Sequence, residues 1–455
     1  MALVPTSDQP LVVVGAGPIG LAAAAHAVER GLPTVVLEAG DGPGAAVADW
    51  GHVRLFSPWR ELVDPSAARL LRAAGRPVPD GETADEAPTG AAWVADHLAP
   101  LADVLADAGV EVRYRHRVVG LSRAGRDRLV AGGRDEVPFA VHVEGPDGHH
   151  VLTAAAVVDA SGTWGRPGPL GADGWPTPGE REAGDAITYA VPDVDDPAVR
   201  GRLAGRHVLV AGSGASAQNT LVALDRLAAE KPGTRVTWVV RRGDVGGAFG
   251  GGEADELPGR GALGERARRA AGSDAVEVVT GFRAGVVRRE PGGALSVVAT
   301  DGREVAGVDH VVAVTGFRPD LSWLDEVHLD LDGELSAPRA LAPEIHPAHH
   351  SCGTVSPHGA DLLRQPEGGL YLVGMKSYGR APSFLALTGF EQVRSVVAEI
   401  AGDHEAAARV DLVLPETGVC GAAPAYDGQA GGCCGAPASA DGPQPVVLGR
   451  AVGVS

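Results

Sequence analysis

The sequence predicts an α/β protein with two Rossmann-like domains, because one pattern of strand, glycine-rich turn and helix occurs twice. The first copy begins at Leu11 and the second follows Gly205. A chain of 455 residues, 44% of them apolar, is longer than one hydrophobic core usually supports. Both observations favour at least two domains with parallel sheets.

The first copy starts with the apolar strand Leu11–Val14, followed by G-x-G-x-x-G and an alanine-rich helix over about 19–30. In such a unit the first glycine makes the tight turn, the second admits a pyrophosphate and the third packs helix on strand. The next strand ends at Glu38, whose carboxylate can bind ribose hydroxyls and would repel a 2′-phosphate. The pattern predicts FAD or NAD, held by Gly15, Gly17, Pro18, Ile19, Gly20, Glu38 and Ala39.

The second copy has the strand "HVLVAG", a glycine turn with alanine in the third position, and a further strand, "RVTWVV". That strand ends in two arginines, which can pair bidentately with a 2′-phosphate. The pattern predicts NADPH, although the arginines could instead form only a solvated edge. The predicted contacts are Gly212, Ser213, Gly214, Ala215, Ser216, Ala217, Arg241 and Arg242.

Each copy is followed by another buried strand that ends in a turn of small residues, where backbone can pass close to a dinucleotide. These turns, together with a valine of the first domain, supply further predicted contacts with the dinucleotides: Val118, Ala160, Ser161, Gly162, Thr315 and Gly316.

On these motifs, the chain resembles the flavoproteins with two dinucleotide-binding domains, and among them the flavin-containing monooxygenase-like enzymes, over about residues 10–402. The resemblance implies FAD on the first site and NADPH on the second. It also implies transfer of one oxygen atom from O₂ through a flavin C4a-hydroperoxide. One departure is that F-x-G-x-x-x-H-x-x-x-[YFW], expected before the second motif, is absent.

The order of motifs predicts a discontinuous FAD-binding domain, residues 1–187 and 322–414, with an NADPH-binding domain, residues 188–321, inserted. Gly- and Pro-rich stretches at 163–184 and 243–262 are predicted loops. The second is expected to be a mobile surface element, and the alternative is that it covers a site. Residues 415–455 are rich in Gly, Ala, Pro and Cys and are predicted to form a flexible, disordered tail.

Two segments are predicted to line the flavin. "WGHVRLFSPWREL" contains Trp59 and Arg60, and "GMKSYGRAPSFLALTGFEQVRSV" contains Gly374, Ser383 and Phe384. Ser383 is expected to cap a helix whose N-terminus directs positive potential at the flavin. Ordinary packing is the alternative for both segments.

The four cysteines show no C-x-x-C or C-x-x-x-x-C spacing, which argues against disulfide-reductase chemistry. Cys352 lies in a histidine-rich stretch that matches no structural zinc spacing, so we predict no metal site and a thiol that could contact substrate. Near the C-terminus, Cys420, Cys433 and Cys434 could capture a soft ion such as trivalent arsenic. Incidental cysteines in a disordered tail are the alternative.

The stretches "GHVRLFSPWRE", "HSCGTV", "GMKSYGRAP" and "LPETGVCG" with "CCG" look like the flavin monooxygenases encoded with actinobacterial arsenic-resistance genes, which implies a trivalent arsenical as substrate. Other hypotheses are N- or S-hydroxylation or Baeyer–Villiger oxidation of an organic metabolite, and a non-catalytic metalloid sensor or carrier.

A formal charge of −19 argues against nucleic acid and anionic membranes as partners. No apolar run approaches the roughly 20 residues that span a bilayer, and no signal peptide is recognisable. We therefore expect a cytoplasmic protein that meets O₂ and a small-molecule or metalloid substrate, and we leave a homodimer open.

Overall fold

The computed structural model describes residues 3–250, 258–347, 357–381 and 384–412. It contains parallel and antiparallel strands, which are β1 Leu11–Val14, β2 Thr34–Leu37, β3 Glu111–Arg113, β4 Arg117–Arg123, β5 Phe139–Gly145, β6 Gly148–Ala154, β7 Ala156–Asp159, β8 Ile187–Thr188, β9 His207–Ala211, β10 Arg235–Val239, β11 Val276–Val279, β12 Ala284–Arg289, β13 Leu295–Ala299, β14 Glu304–Val308, β15 His310–Ala313 and β16 Leu370–Leu372.

The helices cover the faces of the sheets and are α1 Pro18–Glu29, α2 Ala45–Ala48, α3 Trp59–Leu62, α4 Pro65–Ala73, α5 Gly90–Trp93, α6 Ala99–Asp107, α7 Pro197–Leu203, α8 Ala215–Glu230, α9 Pro258–Ala271, α10 Ala342–Ile345, α11 Ala360–Leu363, α12 Ala386–Ile400 and α13 His404–Ala408. None of the described helices combines the length and apolar character needed to cross a membrane.

The first sheet has five parallel strands in the order β16-β7-β1-β2-β3. Every residue of β1, β2 and β7 is buried, as expected for strands covered on both faces by other elements. The alanines of α1 are small enough for the helix to lie close to the sheet, and α12 packs beside it.

The second sheet repeats this arrangement with the order β11-β10-β9-β15-β8. In each domain a three-stranded antiparallel sheet is inserted before the last strand of the repeat: β4-β5-β6 precedes β7, and β12-β13-β14 precedes β15. The mixed α/β fold with two Rossmann-like units is therefore confirmed.

The two connectors between the sheets pair with each other. Pro167 and Phe317 form an antiparallel bridge, and the Gly168 N–H donates to the Gly316 carbonyl at 2.7 Å. The connection from the first to the second sheet then runs through residues such as Leu170 and Ala183, which are buried in the core of the second domain. Strand β8 pairs with β15, so the predicted domain boundary at residues 187 and 188 falls inside a strand of the second sheet.

One predicted loop is partly wrong. Helix α9 begins at Pro258, inside the stretch 243–262 that was predicted as a loop. Phe249 is only 5% exposed and packs against the Trp238 ring with centroids 5.8 Å apart, so this stretch is anchored in the core and is not purely a surface element. The stretch 163–184 contains no strand or α-helix.

Candidate functional site

The first glycine turn has the geometry that a dinucleotide requires. Gly15 has φ +102°, and a Cβ there would lie 2.8 Å from the Ala160 carbonyl oxygen, so only glycine fits. A Cβ on Gly20 would lie 1.9 Å from the Gly15 carbonyl oxygen, which explains the close packing of helix on strand. Gly17, at the N-cap of α1, has no atom within 4 Å of its Cβ position, so the helix N-terminus is open to a phosphate.

Glu38 lies at the end of β2, next to this turn. Its two carboxylate oxygens accept hydrogen bonds from the backbone N–H groups of Ala16 and Gly40, both at 2.7 Å. These bonds hold the carboxylate in place while leaving lone pairs that ribose hydroxyls could use. Ala39 is exposed beside it.

A buried ion pair lies at the C-terminal ends of the strands of the first sheet, near the first glycine turn. Lys376 Nζ lies 3.0 Å from Asp159 Oδ2, and their side chains are 1% and 0% exposed. Ser161, which is exposed, donates from its hydroxyl to Asp159 at 2.6 Å and accepts from Lys376 at 2.9 Å. The pair therefore joins the end of β7 to the turn after β16, directly beneath the predicted turn of Ala160, Ser161 and Gly162.

The turn after β16 is held by a side chain of α12. Gln392 accepts from the Gly374 N–H at 2.7 Å, and its amide nitrogen lies 2.9 Å from Ser377 Oγ and 2.8 Å from His358 Nε2. Gly374 has φ +66° and packs against Ile19 of the first turn. This buried network fixes the strand end relative to the glycine turn.

The second glycine turn has the same construction. Gly212 has φ +135°, and a Cβ there would lie 2.2 Å from the Val314 carbonyl oxygen. Gly214, the N-cap of α8, is open in the same way as Gly17. Ala217, in the third position, is fully buried.

Other predicted contacts of the second site are partly engaged within the protein. Thr315 donates to the Gly168 carbonyl at 2.6 Å, and Gly316 beside it is exposed. The carbonyls of Ala215 and Ser216 accept side-chain hydrogen bonds from Asn219 and Thr220, as is common in a first helical turn. Ser213 is half-buried.

Arg241 and Arg242 follow the end of β10, the strand that corresponds to β2 of the first sheet. Arg241 is exposed and Arg242 is half-buried. The two sites thus have opposite charge at corresponding strand ends, with Glu38 at the first.

The predicted flavin-lining residues have mixed placements. Trp59 is 5% exposed and packs in the core of the first domain, while Arg60 pairs on the surface with Asp85 and, at 3.8 Å, with Glu61. Val118 is 9% exposed and Phe384 packs edge-on against Tyr378 with ring centroids 5.0 Å apart. Their contacts with a cofactor stay predictions.

One capping prediction needs correction. Helix α12 begins at Ala386 with Leu385 as its N-cap, so Ser383 is not the N-cap residue. Ser383 itself lies outside the described residues, as do Cys352, Cys420, Cys433 and Cys434. Within the described ranges, no group of three or more His, Cys, Asp or Glu side chains could hold a metal ion.

Sequence reasoning missed the polar network behind the first site, whose members are Asp159, Lys376, Ser377, His358 and Gln392. A signal for part of it was present. The chain contains only two lysines, Lys231 and Lys376, and Asp159 ends an otherwise apolar strand. The partners of Gln392 come from distant segments, which no local pattern indicates.

Comparison with known proteins agrees with this reading. Residues 10–163 match the model of the FAD dependent oxidoreductase family. No curated protein sequence is significantly similar to the chain.

Solved structures share the fold across most of the chain. Bacillithiol disulfide reductase from Bacillus cereus has a TM-score of 0.61 at 18% identity, with 87% of this chain and 99% of that one covered. A mutant flavin monooxygenase from Stenotrophomonas maltophilia has a TM-score of 0.52 at 21% identity, with 88% and 99% covered. An ornithine N-hydroxylase from Kutzneria sp. 744 has a TM-score of 0.54 at 19% identity, again with 88% and 99% covered. The family match covers the first nucleotide-binding unit, which is therefore similar to FAD-dependent oxidoreductases, a family of enzymes.

Proposed function

We propose that this protein is an NADPH-dependent flavin monooxygenase that oxidises a soft heteroatom, with a trivalent arsenical as its substrate. The observation that carries the proposal is the pair of open glycine turns with opposite charge beside them. One site has Glu38, which suits a ribose, and the other has Arg241 and Arg242, which suit a 2′-phosphate.

The residues of the first site fit FAD. Gly17 leaves room for the pyrophosphate at the N-terminus of α1, and Glu38 is already oriented by two backbone N–H groups. Bound FAD would accept a hydride equivalent from NADPH and supply the activation of O₂. The protein's part is to bind both nucleotides, orient the nicotinamide and exclude water from the reacting centre.

The cysteine pattern supports oxygen transfer over disulfide reduction. A dithiol that passes electrons from flavin to a disulfide would need paired cysteines, and the sequence has none at the usual spacings. The three tail cysteines, Cys420, Cys433 and Cys434, are suited to capture As(III), because thiolates are soft ligands. Arsenious acid, O₂, NADPH and one proton would give arsenic acid, NADP⁺ and water. The As(V) product is a harder, oxygen-ligated centre that thiolates bind poorly, so it would be released.

The test is a stoichiometry measurement on the FAD-loaded protein with arsenite, following NADPH, O₂, arsenate and H₂O₂ together. We expect one NADPH and one O₂ consumed for each arsenate formed, with little H₂O₂. A triple Cys→Ser variant at positions 420, 433 and 434 should retain its FAD and lose most arsenite-dependent NADPH oxidation at low arsenite.

Three other results would contradict the proposal. Arsenite-dependent NADPH oxidation that is unchanged in the triple variant would remove the capture role. Turnover only with an organic amine, sulfide or ketone would support the organic-substrate hypothesis. Stoichiometric arsenite binding without any NADPH oxidation would support a sensor or carrier.

A further inference from the structure

Two arginines, Arg318 and Arg380, come together where the connectors between the two sheets meet, with Arg166 and Arg241 within electrostatic range. Arg166 and Arg318 lie on the two paired connectors, and the backbone N–H of Arg318 donates to the backbone carbonyl of Arg166 at 2.9 Å. Terminal nitrogens of Arg318 and Arg380 lie 3.0 and 3.8 Å from the point where a Cβ on Gly174 would stand, so the two guanidinium groups are neighbours. Arg241, at the end of β10, is also within electrostatic range of Arg318.

The charges in this cluster are poorly balanced within the protein. Among the described residues, no carboxylate lies within 4.0 Å of the guanidinium group of Arg318 or Arg380, although the whole chain has a charge of −19. The side-chain partner of Arg318 is a neutral one, the Gly174 carbonyl at 2.7 Å. Asp320 is the carboxylate that pairs with the cluster, 4.0 Å from Arg166, and it also accepts a hydrogen bond from the Ser322 hydroxyl at 2.7 Å.

The electrostatics of Arg318 show the same imbalance. Partial burial lowers the pKa of this guanidinium, and the positive charges of Arg380, Arg166 and Arg241 lower it further. Like charges in a partly desolvated position repel each other, and an anion between them would remove that repulsion.

We propose that Arg318 and Arg380, assisted by Arg166 and Arg241, form a binding site for a tetrahedral oxyanion. Guanidinium groups match such anions because they donate two parallel hydrogen bonds to two oxygens. Arg380 belongs to the first domain and Arg241 to the second, so a bound oxyanion would also connect the domains. The oxyanion could be a phosphate group of NADPH or free arsenate released as product. Only this choice of ligands rests on the proposed function.

The test is equilibrium binding by isothermal titration calorimetry on the full-length, FAD-loaded protein. The probes are inorganic phosphate, arsenate, NADP⁺ and NAD⁺. The variants are Arg318→Gln and Arg380→Gln, and the second keeps the Arg318 bond to Gly174. Arg117→Gln, at an exposed position of β4, is the matched control for the loss of one positive charge. FAD content and melting temperature verify that each variant is folded.

We expect each cluster variant to weaken phosphate binding by about ten-fold, the effect of losing a charge-assisted hydrogen bond, and the control to leave it unchanged. If NADP⁺ affinity falls in parallel and NAD⁺ affinity does not, the oxyanion is a phosphate of NADPH. If arsenate affinity falls and NADP⁺ affinity does not, it is the free oxyanion.

If folded Arg380→Gln and Arg318→Gln bind all four probes with unchanged affinity, the proposal of an oxyanion site is wrong. The same follows from an equal loss in Arg117→Gln, because the effect would then come from net charge alone. Since binding is measured without turnover, a protein that oxidises no arsenical could still confirm the oxyanion site, and the two proposals fail separately.

Discussion

The two nucleotide-binding units of this chain have the same backbone design and different charges. In space the strands run β7-β1-β2-β3 in the first unit and β15-β9-β10-β11 in the second. The N-cap glycines are nearly superposable in conformation, with φ −78° and ψ −175° at Gly17 and φ −84° and ψ −174° at Gly214. The differences between the sites therefore come from side chains.

The clearest difference is at the ends of corresponding strands. Asp159 ends β7 opposite Val14, and Ala313 ends β15 opposite Ala211. The first unit thus buries an ion pair where the second has only apolar groups. Together with Glu38 in one unit and Arg241 in the other, this shows that the charge beside the two turns can differ by a few residues while the turn geometry is retained.

The largest expected effect comes from breaking the ion pair of the first unit. Lys376→Met should lower the free energy of unfolding by about 3–5 kcal/mol, because it leaves Asp159 charged, buried and without its partner. Urea unfolding at neutral pH measures the change.

The matched control is Lys231→Met, which alters the only other lysine at an exposed position of the second unit. It should change stability by less than about 0.5 kcal/mol. Equal changes in the free energy of unfolding of the two variants would show that the buried ion pair is not a stabilising feature specific to the first unit.

A pH dependence of stability should arise from one buried histidine in each unit. Burial lowers the pKa of His97 to about 4 and that of His310 to about 4 as well, so both are neutral in the folded protein at pH 7. The unfolded chain, with a histidine pKa near 6.5, binds more protons between pH 6.5 and 4, so stability falls as pH falls through that range.

For His97, which is 2% exposed, the loss should amount to about 3 kcal/mol at pH 4. Thermal melts of His97→Gln and His310→Gln against pH measure it, with His116→Gln as a control at a half-buried position. A flatter pH profile in each of the first two variants is expected. An unchanged dependence of melting temperature on pH in both variants would contradict the role of His97 and His310.

The third glycine position allows a test in which opposite substitutions in the two units should both be destabilising. Gly20→Ala should lower the free energy of unfolding by about 1–3 kcal/mol and reduce FAD content, because the added methyl overlaps the Gly15 carbonyl oxygen. Ala217→Gly, at the corresponding position, removes a methyl that already fits and should lose about 1 kcal/mol of helix stability. A stabilised Gly20→Ala would show that the first turn is looser than its geometry indicates.

Local sequence patterns were sufficient for the repeated backbone. The boundaries of β1, β2 and β9 follow from short apolar runs, and the glycines identify the turns because only glycine tolerates those φ values and close contacts. The polar network behind the first site could not be predicted, since Asp159 and Lys376 are far apart in sequence and meet only when β16 pairs with β7. The burial of Trp59 depends equally on tertiary packing.

The smallest expected effect concerns the second site alone. The double substitution Arg241→Gln with Arg242→Gln should raise the KM for NADPH by about ten-fold and leave the KM for NADH unchanged, because a 2′-phosphate would lose charge-assisted hydrogen bonds. Steady-state NADPH and NADH oxidation by the FAD-loaded protein provides both values. A parallel change with both nucleotides would mean that the arginines do not recognise the 2′-phosphate.

The central claim is that the first unit holds FAD and the second holds NADPH, and paired variants at the two open glycines test it most directly. Gly17→Val and Gly214→Val place the same side chain at the same N-cap conformation, where neither would meet protein atoms within 4 Å of its Cβ. The measurement is FAD content followed by the rate of anaerobic flavin reduction by NADPH. We predict that Gly17→Val is purified without FAD, and that Gly214→Val retains FAD but is reduced much more slowly at low NADPH. Full FAD content in Gly17→Val, or an unchanged reduction rate in Gly214→Val, would contradict this division between the two units.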